Sequence, residues 1–247
     1  MQSGKRFRPL LGALLGALLI AACGRAEPPE PTATPSPTAT VPSTTPTPVP
    51  TVGEPLPAGQ RTFRLLPGAS RAQYQAEEEF LSGAAPQLGK ALGITSTIGS
   101  TNQIQGTFTL DVRDGLQIVG GLIEVDISTL ASDDPRRDRA IRERFLQSDT
   151  YPTATFVPLE MEGFPATYNL GDVVHFKLTG DLTIRDITQR VTFNVRASYD
   201  GQRIRGDADA VLRMTQFGFD PPAIANLLTV ADSFLLQIFF TAEEADG

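Results

Sequence analysis

The stretch "IQGTFTLDVRDGLQIVGGLIEVDI" (Ile104–Ile127) sets Ile104, Gly106, Phe108, Leu110 and Val112 in alternation with polar neighbours. Side chains of a strand point to opposite faces with period two, so this is a strand with one buried face. Asp114-Gly115 supplies a hairpin turn into a second run of the same kind. A lone hairpin is marginal in water, so further strands must cover the apolar side.

The same alternation returns downstream. It runs through Val174, Phe176, Leu178, Leu182 and Ile184, then Val191, Phe193 and Val195. After a Ser-Tyr-Asp-Gly turn at 198–201 it continues through Ile204, Gly206, Ala208, Ala210 and Leu212, and ends with Phe234, Leu236, Ile238 and Phe240. Together these runs predict an all-β domain of roughly eight antiparallel strands. "SDDPRRDRAIRERFLQ" (Ser132–Gln147) breaks the pattern: Asp133 or Asp134 caps a helix, Pro135 sits in its first turn, and Ile141 and Phe145 have helical spacing. A helix of about ten residues lying across the sheet or one open end is expected. Closure into a barrel removes the exposed edges of such a meander; a β-sandwich has the same periodicity.

The first quarter of the chain has a different character. Lys5, Arg6 and Arg8 precede an apolar run from Leu10 to Ile20, the layout of an export signal and too short for an ordinary spanning helix. The run ends in Ile20-Ala21-Ala22-Cys23, which resembles a bacterial lipobox, so residues 1–22 are expected to be removed and Cys23 to carry the lipid attachment. Cys23 is the single cysteine of the 247-residue chain, and its flanks form no packed catalytic site. Residues 23–60 are Pro- and Thr-rich without apolar periodicity, a disordered tether that in polyproline form spans up to roughly 100 Å. The folded domain is expected over 61–247. Loss of the leader removes three basic and no acidic residues, taking the formal charge from −7 to −10. That balance argues against nucleic acid as a partner.

Signals for chemistry are weak. His175, the single histidine, has the opposite parity to Val174 and Phe176 and is expected to face solvent. Asp133, Asp134, Asp138 and Glu143 could form an acid/base pair, but they interleave with Arg136, Arg137, Arg139, Arg142 and Arg144, the pattern of a solvated, ion-paired helix face. No G-x-S-x-G or phosphate-cradling glycine loop occurs. Neither metal nor cofactor is expected, and no catalytic residue is assigned.

Three segments carry a family likeness. "VDISTLASDDPRRDRAIRERFLQSDTYPTATF" (Val125–Phe156), "LTGDLTIRDITQRVTF" (Leu178–Phe193), and "MTQFGFDPP" with "VADSFLLQIFFTAE" near the end together resemble the YceI-like family. The resemblance spans about Arg61 to Glu244. It implies a lipocalin-like antiparallel barrel that binds polyisoprenoids or similar amphiphiles. Asp186 is then expected to take left-handed backbone at the Ile184–Ile187 turn, and the segment from Phe80 to Asn102 reads as an insertion, a lid or a longer loop.

Alternation alone admits either a filled barrel or a hollow one. With the resemblance, the inward faces are expected to line an apolar cavity: Phe108, Leu110, Phe156, Phe176, Leu178, Leu182, Ile184, Phe193, Val195, Ala208, Ala210, Leu212, Phe234, Leu236, Ile238 and Phe240. The expected protein is an exported lipoprotein, anchored on the extracytoplasmic side of a membrane, whose partner is a long-chain isoprenoid or other amphiphilic lipid. Two other readings stay open at this point: a filled barrel acting as an envelope interaction protein, and an envelope enzyme using carboxylates at the barrel mouth.

Overall fold

The computed structural model describes residues 59–84, 87, 89–113 and 115–245. The leader, Cys23, the tether up to residue 58, and Asp114 of the first hairpin lie outside the described residues. The strands are β1 (Gln60–Leu65), β2 (Arg71–Phe80), β3 (Gly93–Thr101), β4 (Ile104–Asp111), β5 (Gln117–Asp126), β6 (Thr153–Glu162), β7 (Val173–Ile184), β8 (Ile187–Tyr199), β9 (Arg203–Arg213), β10 (Ala223–Ile224) and β11 (Leu228–Glu244). Helix α1 (Pro135–Ala140) continues into a π-helical turn over Ile141–Phe145.

Hydrogen bonding runs β1-β4-β5-β6-β7-β8-β9-β11 and returns to β1, which closes an antiparallel barrel. β2 and β3 extend the sheet from β11, and the reason is a pair of bends. β11 is long enough to pair with β2 from Leu228 to Phe239 and with β1 from Ala242 to Glu244. Between them the chain turns through Gly68, whose φ of 75° a side chain would resist. Leu66 N–H donates to the Thr241 carbonyl at 2.8 Å, and the buried Ser70 hydroxyl accepts from Thr241 N–H at 3.2 Å, so the ladder is not broken at the bend. A second bend separates β3 from β4, where the Thr101 hydroxyl accepts from Gln103 N–H at 3.0 Å. With each bent strand counted once, the barrel has eight strands in chain order. The sandwich alternative is thereby excluded, and the segment between Phe80 and Asn102 is half strand: β3 pairs with β2 along its whole length.

β8 shows why the alternation was a sound guide. Val191, Phe193, Val195 and Ala197 are buried, while Thr192, Asn194 and Arg196 between them are exposed. At the β7–β8 turn it is Arg185, with φ of 59°, that takes the left-handed backbone, and not Asp186. β2, β5 and β9 run toward one end of the barrel, called here the helix end; β4, β6 and β8 run toward the other. Asp134 caps α1 by accepting from Arg136 N–H at 3.0 Å, and Pro135 occupies the first turn, as its composition requires.

Candidate functional site

The inward faces of the ring do not meet. They enclose a cavity of about 530 Å³ along the barrel, within the usual range for small-molecule sites of about 300–1,000 Å³. All of the residues expected to line it do so except Ala210 and Leu212. Those two are buried in the same apolar cluster as Val191 and Phe217, which also do not border the cavity.

Glycines facing aromatic rings keep the space open. A Cβ on Gly180 would stand 2.5 Å from the Phe156 ring, one on Gly206 2.8 Å from the Phe240 ring, and one on Gly99 2.3 Å from the Tyr74 ring. Each ring therefore occupies the space that a side chain at that glycine of the neighbouring strand would need. Phe156 also packs edge-on against Phe193, with ring centroids 5.1 Å apart.

The two ends are built differently. At the end away from the helix, Arg61 lies 5.7 Å from the ring centroids of both Phe63 and Tyr199, donates to Glu244 Oε1 at 2.7 Å and to the Tyr199 hydroxyl at 3.2 Å. The pairing with Glu244 holds its guanidinium above the ordinary value. Phe63 stacks on Phe108 at 5.6 Å, so aromatic rings surround one ion-paired charge at this end.

The helix end carries a buried polar cluster. Arg137 reaches from α1 to Glu78 of β2 and makes a two-pronged ion pair, Nε to Oε1 at 2.7 Å and Nη2 to Oε2 at 2.8 Å. Their side chains are only 14% and 7% exposed. Burial works against the Arg137 charge, but the hydrogen bonds to Glu78 and Asp133 outweigh it and leave its pKa raised. Asp138, also buried, accepts from the Ser132 N–H at 2.9 Å and hydroxyl at 2.6 Å. The expected solvated face thus describes Arg139 and Glu143, 76% and 62% exposed, and fails for Arg137 and Asp138, which tertiary contacts draw inward. Lys90, Arg136 and Arg144 border the cavity at the same end.

Tyr74 was not singled out by its sequence context. Its ring lines the cavity, and its hydroxyl, buried and electrostatically coupled to Arg137, Asp138, Glu78 and Asp133, has no hydrogen-bond partner among the described residues. Burial raises its pKa well above the ordinary tyrosine value, so it stays a neutral donor. A buried donor without an acceptor is uncommon and asks for one from a ligand. His175 is exposed on the outer wall. Among the described residues no three of His, Cys, Asp and Glu gather as a metal site.

Comparison with known proteins agrees with this architecture. No protein among those with curated functions matches the chain. Among solved structures, the Burkholderia cenocepacia protein BcnA is 16% identical, covers 72% of this chain and 98% of its own, and has a TM-score of 0.53. A polyisoprenoid binding domain from Saccharophagus degradans is 10% identical, with 74% and 98% coverage and a TM-score of 0.54. A Campylobacter jejuni YceI protein carrying a monobromobimane guest is 19% identical, with 64% and 90% coverage and a TM-score of 0.52. At these identities the likeness is one of fold. The family model of the YceI-like domain matches residues 71–242, from the second strand to within a few residues of the last, and by that match over well more than half its length the chain belongs to the YceI-like family.

Proposed function

We propose that this protein binds or carries a long-chain amphiphile, a polyisoprenoid or quinone-like lipid, inside the barrel, and that it works on the extracytoplasmic side of a membrane, tethered through lipidated Cys23. The observation that carries the reading is the 530 Å³ cavity with its predominantly apolar lining. Such a lining buries a hydrocarbon chain at about 0.8 kcal/mol per CH₂, an upper value because a dry cavity gains less. The fold is shared with a domain described as polyisoprenoid binding, which supports the same ligand class. The role is binding; no catalytic step is assigned. Native mass spectrometry of the chain after exposure to membrane lipid extract should show a retained lipid, and a chain that emerges empty overturns the reading.

Two further outcomes follow. Cys23→Ser should move the otherwise folded protein from the membrane fraction to the soluble one, and a variant that stays membrane-bound removes the anchor from the proposal. Tyr74→Phe should weaken binding of a lipid with an oxygen acceptor roughly two- to tenfold, the worth of one hydrogen bond. The same change should leave thermal stability unchanged or slightly raised, because the free protein loses a buried hydroxyl that had no partner. Loss of stability without loss of affinity is the result that would deny Tyr74 a role at the ligand.

A further inference from the structure

β3 is the outer strand of the extension that the bend in β1–β2 creates. Among the described residues its second edge makes one bridge, Ser100 with Ala131, and no strand pairs with it from Gly93 to Gly99. That bridge also establishes which backbone groups face outward. Ser100 N–H donates to the Ala131 carbonyl at 2.9 Å, and Ala131 N–H donates to the Ser100 carbonyl at 3.1 Å. Strand geometry alternates, and the β2–β3 register runs without a bulge from Gly93 to Thr101. Ile94, Ser96 and Ile98 therefore turn their N–H and C=O groups to the free edge. Their side chains point away from the barrel, and Ile94 and Ile98 are 71% and 48% exposed. An apolar edge of this kind, without charge, proline or bulge, is a site ready to pair.

The sequence of the edge identifies its partner. "GITSTIG" (Gly93–Gly99) reads the same in both directions about Ser96. Two antiparallel copies related by a two-fold axis through Ser96 place Ser96 opposite Ser96, and Ile94 of each copy opposite Ile98 of the other. The residues that would meet are those whose backbone groups face the edge, so each such pair exchanges two hydrogen bonds. The two Ile94–Ile98 pairs cover one another's exposed side chains on the outer face, and no charge is buried. Self-complementarity of this sort is what an isologous contact requires, and a strand from an unrelated protein would have no reason to match it.

We infer that the protein forms a two-fold dimer by pairing β3 edge to edge, in the register Ile94–Ile98, Ser96–Ser96, Ile98–Ile94. Sedimentation equilibrium of the full chain tests it. The unaltered chain should be a dimer. The double variant Ile94→Lys with Ile98→Lys sets like charges opposite one another at both ends and should weaken dimerisation roughly tenfold or more. The double variant Ile94→Lys with Ile98→Glu sets Lys opposite Glu in that register, and should restore the dimer while serving as the folding control. Ser96→Pro, which removes an N–H that β2 does not use, should also give a monomer. A monomeric unaltered chain, which is also the result expected if another protein's strand fills the edge, overturns the inference. So does a Lys/Lys variant as dimeric as the Lys/Glu one.

Discussion

Ala208→Trp should abolish capture of a long-chain lipid while the barrel remains folded. Ala208 lines the cavity from the middle of β9, paired with Val195 on one side and Ile238 on the other. An indole at this point projects into open lumen, so it divides the cavity rather than overfilling a packed wall. A lipid tail stopped there loses burial of everything beyond it. Exclusion of only four methylenes costs about 3 kcal/mol, or roughly 200-fold in affinity. Lipid retention by native mass spectrometry gives the affinity, and circular dichroism gives the fold. Unchanged retention in a folded variant would mean that the tail does not run through the barrel, and the proposed carrier function would then lose its main support.

Arg137→Met should destabilise the protein by about 3–5 kcal/mol, the usual cost of removing one partner of a buried ion pair. Glu78 would be left as a buried carboxylate that had relied on both prongs of the guanidinium. Adding Glu78→Gln to the same chain should recover much of the loss, because the stranded charge is then gone. Denaturant unfolding of both variants decides the matter. Equal losses in the single and double variants would show that Arg137 acts by packing α1 over the barrel end, and not by neutralising Glu78.

The contrast between these positions shows where the sequence was readable. Ala208 and Val195 sit on strands whose alternation announced their inward direction, because one buried face imposes period two over any length of strand. Arg137 sits in a run of alternating charges that looks solvated by every local measure. Only the partner, Glu78, fifty-nine positions away, takes it inward. β3 failed to register as a strand because its inward residues are Thr95, Thr97 and Gly99, with little apolar contrast against its outward face. Ala210 and Leu212 had the correct parity yet missed the cavity, since parity tells a side chain's direction and not whether anything stands opposite.

By itself, the sequence determined an antiparallel β domain with one capped helix, the likeness that named its family, and an acidic composition unsuited to nucleic acid. These follow from patterns that repeat every two or four residues and from the chemistry of single side chains. The tertiary structure alone decided that the barrel is hollow. That depends on cross-strand register, which sets Gly180 beside Phe156, Gly206 beside Phe240 and Gly99 beside Tyr74. A shift of one residue would turn those rings to the other face of the sheet, and no local pattern records which glycine each ring will meet.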